Sequence, residues 1–242
     1  MTPFARSCQV LAQTYRRLRN AESSPLTLEE QKRAWALEML RLLNVTLEVR
    51  GTPLRGRPTI FVGNHISYLD IPLLLACAPE LSFVAKQELS RWPIFGRGMR
   101  LAGTIFVQRN SPASRGAARE SLRRALEEDQ NAMAIFPSGT TSLSEESPWK
   151  FGAFRLAEET GVPLQPFRIR YTPARTAAFI DDDSFLAHLL GVCRSGEVRA
   201  KLEFAPAETI SDAEEACHRW QKWAADSSSR LPVRIPAPAW TG

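Results

Sequence analysis

The chain has 242 residues, enough for one large domain, or one domain with an appendage, around a substantial core. A formal net charge of +5 suits an anionic partner such as nucleic acid, anionic lipid, or a phosphorylated or CoA-type substrate, while 44% apolar and 24% charged residues are ordinary for a globular protein. Four cysteines without a C-x-x-C pair and only three histidines argue against a structural zinc site or a disulfide framework, and a reducing compartment is the default.

No apolar run reaches the roughly 18 residues of a spanning helix, and the N-terminus has no long apolar core after its basic residues, so neither a membrane span nor a signal peptide is expected. "PFARSCQVLAQTYRRLRN" instead places Phe4, Cys8, Leu11, Tyr15 and Leu18 at helical spacing, with Arg6, Arg16, Arg17 and Arg19 mostly elsewhere on the wheel. After the break "AESSPLT", Thr27 with Glu30 forms a capping box for a second helix, whose apolar face is Leu28, Trp35, Met39, Leu42 and Leu43. The pair either packs on its own domain or anchors the protein at a bilayer interface, with arginines on phosphates and Phe4, Tyr15 and Trp35 at headgroup level.

From Val45 the pattern becomes strand and helix in alternation. "VTLEVRG", "TIFVGN", "LSFVAK", "GTIFVQR", "AMAIFP", "VPLQPFRIRY" and "EVRAKLEFA" read as strands. Helices are expected over 70–77, over "SPASRGAARESLRRALEED" with Ser111 as cap and Pro112 in the first turn, over 151–160 before Gly161, and over 211–226. "WPIFGRGMR" reads as a short helix or turn, and a further helix starts near Ser184, with Asp181–Asp183 as a solvated loop rather than a metal site. The expected fold is α/β: two or three layers with a mixed, largely parallel sheet flanked by helices. The expected division is a membrane-facing helix pair over 1–44, a main domain over 45–230 and a Pro-rich tail over 231–242.

Three patches carry candidate chemistry. In "VGNHISYLDIP", His65 follows a buried strand and stands five residues before Asp70. That spacing does not bring side chains together on one continuous helix, so the chain must turn between them. The carboxylate can then orient the imidazole as a base; alternatively, His65 is a buried histidine and Asp70 a helix N-cap. No G-x-S-x-G elbow is present, so a nucleophilic hydroxyl would come from the substrate. In "FPSGTTS", Ser138, Gly139, Thr140 and Thr141 form a strand-exit loop whose backbone N–H groups could hold an oxyanion or phosphate, or form an ordinary loop. Lys86 and Arg109, at or after strand ends, could clamp a phosphate or be surface charge.

Together these segments resemble the glycerolipid acyltransferase family, typified by the 1-acylglycerol-3-phosphate acyltransferases, over roughly 45–205. "NHISYLD" matches its N-H-x-x-x-x-D block, "GTIFVQR" its Gly-x-x-Phe-x-x-Arg block, "GVPLQPF" its Val-Pro block, and "FVAKQEL…PIFG" its linking segment. "FPSGTTS" is similar to a block that is usually Phe-Pro-Glu-Gly-Thr-Arg-Ser. The resemblance implies that His65 is a general base and Asp70 its orienting partner. Lys86 and Arg109 would hold acceptor phosphate, and Gly139 would lend backbone donors near the reacting carbonyl. It implies transfer of a fatty acyl group from acyl-CoA or acyl carrier protein to a lysolipid hydroxyl, with 1-acylglycerol-3-phosphate to phosphatidate as the leading reaction. No cofactor beyond that co-substrate, no metal and no nucleic acid are implied, and the expected location is peripheral, on the cytoplasmic face of a membrane. Ser138 and Thr141 replace the usual Glu and Arg. The alternative acceptor is therefore a lysophospholipid diester or a lyso-ornithine-type lipid, unless Arg97, Arg100 or Arg168 stands in for the lost cation. A non-catalytic lipid-binding protein of the same fold and a thioesterase-like hydrolase are the competing readings.

Overall fold

The computed structural model describes residues 2–92, 94–108, 111–128, 130–180 and 182–226; Arg109, Asp181 and the Pro-rich tail lie outside them. Helix α1 (Pro3–Asn20) starts with Pro3 in its first turn and the Thr2 hydroxyl accepting from Ala5 N, and α2 (Leu28–Leu42) carries the reciprocal Thr27–Glu30 capping box. There follow β1 (Val45–Arg50), β2 (Thr59–Gly63), α3 (Asp70–Cys77), β3 (Ser82–Lys86) and a 3-10 turn (Gln87–Arg91). Next come α4 (Phe95–Leu101), β4 (Ile105–Val107), α5 (Pro112–Glu127), β5 (Ala132–Ile135) and α6 (Gly152–Thr160). The chain continues with β6 (Leu164–Thr172), α7 (Ala174–Ala177), α8 (Phe185–Arg194), β7 (Val198–Phe204) and α9 (Ala213–Ala225).

The described strands form one sheet in the order β1-β7-β6-β2-β5-β3-β4, parallel except for the β6–β7 pair. Alternation along the buried strands makes it three layers. Phe61 of β2 and Ala134 of β5 enter a core shared with α2, α3 and α8. Ile60, Val62, Met133 and Ile135, one residue out of phase, enter a second core with α5, α6 and α9. Strands sandwiched in this way must be apolar on both faces, which is why "TIFVG" is an unbroken run buried at every position.

The N-terminal pair differs from its sequence reading in two respects. Helix α1 buries Ser7, Val10 and Thr14, while Phe4, Cys8 and Tyr15 point outward. The buried stripe is mostly small and hydroxylic, so hydropathy does not mark it. It is tolerated because Ser7 Oγ donates to Pro3 O and Thr14 Oγ1 to Val10 O, leaving no hydroxyl unpaired. Trp35, expected at headgroup level, is partly buried and donates through Nε1 to Thr14 Oγ1 (3.1 Å). Helix α1 rests on α8, and α2 on α3 and β1.

Candidate active site

Strand β2 ends against β6 so closely that a Cβ on Gly63 would lie 2.4 Å from Phe167 O. The next residue, Asn64, is buried and grips the Ile169 backbone from both sides, donating to its carbonyl (2.8 Å) and accepting from its N–H (2.7 Å). This clamp starts the turn that presents His65. The imidazole stacks on Phe136 with ring centroids 3.9 Å apart and planes 15° from parallel. Its Nδ1 lies 2.7 Å from Asp70 Oδ2.

Asp70 is wholly buried at the start of α3, yet no side chain caps that helix. Its carboxylate turns back and accepts from Ile66 N (2.8 Å) and Ser67 N (3.1 Å) through Oδ2, and from the Tyr171 hydroxyl (2.7 Å) through Oδ1. The helix-cap alternative is therefore not what the structure shows. Burial and then the Asp70 carboxylate hold the Tyr171 hydroxyl well above its usual range, so it stays a donor. A carboxylate occupied as an acceptor by backbone N–H groups acts as an acceptor toward His65 too. The proton then sits on Nδ1, and Nε2 is left as the basic edge.

His65 opens into a cavity of about 530 Å³ whose walls are mainly apolar side chains of α1–α4 and α8. Phe136, stacked on the imidazole, and Tyr68 line it, and Val10, Thr14 and Leu18 of α1 form part of the wall. Lys86, Gly139, Thr140 and Thr141 line it as well. Ser138 does not; its hydroxyl donates to Thr140 O (2.8 Å). The Gly139 N–H is engaged with Phe136 O (3.0 Å) and the Ser142 N–H with His65 O (2.8 Å). Among the described residues, the loop's N–H groups without an intramolecular bond include those of Thr140 and Thr141. Arg97, Arg100 and Arg168 do not line the cavity; Arg168 is buried against Glu203 and stacked on Trp223. Asp183 pairs with Arg175 (3.1 Å).

Several site residues escape sequence reasoning. Tyr171 reaches Asp70 from 101 positions away. Tyr68 lies inside the quoted block, but its role in the wall, with its hydroxyl 3.1 Å from His188 Nδ1, depends on the placing of α8. Lys32 lines the cavity while its Nζ donates to Leu81 O (2.8 Å), and burial pulls its ammonium down to about 8. Glu145, raised by burial, accepts from Trp149 Nε1 (2.5 Å) and feels the charges of both His65 and Asp70.

A family model described as Acyltransferase matches residues 46–170. The chain is 36% identical over 206 residues to the lyso-ornithine lipid O-acyltransferase of Pseudomonas aeruginosa, covering 82% of this chain and 78% of that one. This chain belongs to the acyltransferase family. The 1-acyl-sn-glycerol-3-phosphate acyltransferase of Neisseria meningitidis is 34% identical over 144 residues, covering 57% of this acyltransferase and 56% of that protein. The crystal structure of the 1-acyl-sn-glycerophosphate (LPA) acyltransferase PlsC from Thermotoga maritima has the same fold (TM-score 0.60, 21% identity, 81% of this chain and 76% of that one covered). The expected family and the expected α/β architecture with its mostly parallel sheet are thus both found, and the protein is an O-acyltransferase.

Proposed function

We propose that this acyltransferase moves a fatty acyl group from a thioester donor, acyl-CoA or acyl carrier protein, to the hydroxyl of a lyso-ornithine-type lipid, with His65 as general base and Asp70 as its orienting partner. The observation that carries the chemistry is one imidazole bonded through Nδ1 to a buried carboxylate while it lines an apolar cavity of about 530 Å³. In the step so supported, Nε2 takes the proton of the acceptor hydroxyl as its oxygen attacks the thioester carbonyl. The oxyanion meets the Thr140 and Thr141 N–H groups. The C–S bond then breaks, and the imidazolium returns the proton to the leaving thiolate.

The acceptor reading rests on charge. The third block supplies threonine where a phosphate-binding arginine is usual, so Lys86 is the cation expected from the sequence that lines the cavity. Among the described residues, the other cations of the wall are engaged, Arg17 with Glu38 and Lys32 with Leu81 O, and the Lys86 ammonium suits the carboxylate of an ornithine headgroup better than a phosphate monoester, which favours the bidentate guanidinium. The Pseudomonas relative is named for a lyso-ornithine acceptor, and that match spans more of the chain than the Neisseria one. Lys86 also supports a second reading, 1-acylglycerol-3-phosphate as acceptor. The membrane is reached from the cytoplasmic side, where such thioesters are made. Phe4 and Tyr15 stand 69% and 55% exposed among the α1 arginines, and no described helix is long and apolar enough to cross a membrane.

A panel of lysolipids assayed with both labelled donors tests this. Lyso-ornithine lipid should be acylated at least about tenfold faster than 1-acylglycerol-3-phosphate; the reverse order overturns the acceptor assignment. His65→Ala should lower transfer by about 10²–10⁴-fold in a folded protein. Fatty acid release that needs no acceptor would point to hydrolysis instead.

A further inference from the structure

We propose that the 3-10 turn Gln87–Arg91 and α4, with Trp92 beside them, form a second contact with an anionic bilayer surface, separate from α1 and placed at the edge of the cavity. The inference rests on the reading of this protein as a membrane-surface acyltransferase, but nothing in that reading assigns these residues.

The turn and the helix are one unit. Gly96 packs so tightly that a Cβ there would lie 2.2 Å from Ser90 O, and Arg100 donates to the same carbonyl (2.5 Å). The unit abuts α1, where the Gly98 Cβ position is 3.3 Å from Leu18, and α8, where the Phe95 and Phe185 ring centroids are 5.1 Å apart. Leu89, Trp92, Phe95 and Met99 all line the cavity, so this surface adjoins the space a lipid chain would fill.

Its outer side is cationic. Arg91, Arg97 and Arg100 are exposed, against the single carboxylate of Glu88. Among the described residues, none of these three cations has a carboxylate partner. Arg119, Arg123 and Arg124 of α5, by contrast, are paired to glutamates. Trp92 is 41% exposed beside the cations, and Leu186, next to Phe185, is 62% exposed. An exposed indole on the wall of an apolar cavity, an exposed leucine next to Phe185 of that wall, and nearby arginines without carboxylate partners match the layered chemistry of a bilayer: hydrocarbon, then headgroup zone, then phosphate. An acidic protein or a CoA phosphate would satisfy the cations but not the exposed indole and leucine.

The test is sedimentation of the full chain with vesicles of phosphatidylcholine alone or with phosphatidylglycerol, at low and high salt. Arg97→Glu with Arg100→Glu should weaken binding to the phosphatidylglycerol vesicles at least about tenfold at low salt. Arg97→Lys with Arg100→Lys should retain it. A thermal melt matching wild type certifies the fold, and Arg91→Glu alone supplies a milder variant if the double reversal does not fold. Wild-type protein that ignores both vesicles sinks the membrane reading and this contact with it. Wild-type protein that binds, with the reversed variants binding equally well, sinks this contact alone. Unchanged vesicle binding with a raised KM for the thioester donor would assign the cations to the donor and also overturn the proposal.

Discussion

Asp70 holds four donors on two oxygens, and this is what distinguishes a positioned carboxylate from an incidental one. An amide presents one acceptor oxygen and two N–H groups, so Asp70→Asn should set an N–H against a donor and lose the imidazole tautomer. Transfer should fall by about 10²–10⁴-fold, as for His65→Ala, measured by single-turnover acylation. Tyr171→Phe removes only the Oδ1 donor. It should cost about 1–3 kcal/mol in urea unfolding, with a smaller loss of transfer than Asp70→Asn. The His65–Asp70 pair was legible because one short loop carries both residues. Tyr171 was not, because only the fold brings it there. Lys32 gives a pH signature at the same scale. Burial holds its ammonium at about 8 against an ordinary 10.5, so between those values the unfolded chain binds the extra proton and this residue's contribution to stability rises with pH. Cys77, pushed up to about 12 from 9.0, acts in the opposite sense above pH 9. Comparison with Lys32→Met isolates the lysine: from pH 8 to 10 wild type should gain on the variant by roughly 2 kcal/mol, and a parallel pair of profiles would refute the assignment.

At the scale of elements, the site depends on how β2 leaves the sheet. Gly63 and Asn64 fix that exit, one by letting β6 approach and the other by bonding both backbone groups of Ile169. Gly63→Ala should force β2 and β6 apart and cost at least about 1–3 kcal/mol, read as a fall in the urea midpoint. Gly63 and Asn64 are both residue types that favour turns, but the sequence does not say which strand they face. Helix α1 shows the same limit. Its ends are local chemistry and were readable. Its buried stripe was not, because Ser7 and Thr14 become buried only after their hydroxyls bond within the helix and α2 and α8 lie over them. The "FPSGTTS" loop was recognisable as a possible anion cradle, yet which N–H groups stay open follows from bonds to Phe136 and His65.

At the scale of the whole molecule, removing residues 1–26 is a poor test of membrane attachment, since it would strip Val10 from the core and Leu18 from the cavity wall. Phe4→Ser with Tyr15→Ser touches only exposed side chains, and should weaken vesicle sedimentation while leaving the thermal midpoint in place. Sedimentation unchanged from wild type would make α1 a packing element alone. The amino-acid sequence by itself determined the order of the strands and of the helices other than α7, the caps of α2 and α5, and the loop that carries His65 and Asp70, because hydrophobic period and turn chemistry act over a few residues. Only the tertiary structure decided that the layers number three, that Tyr171 and Asn64 complete the site, and that the α1 aromatics face outward. Each of those depends on strand register and helix docking between segments far apart in the chain, and no local pattern encodes it.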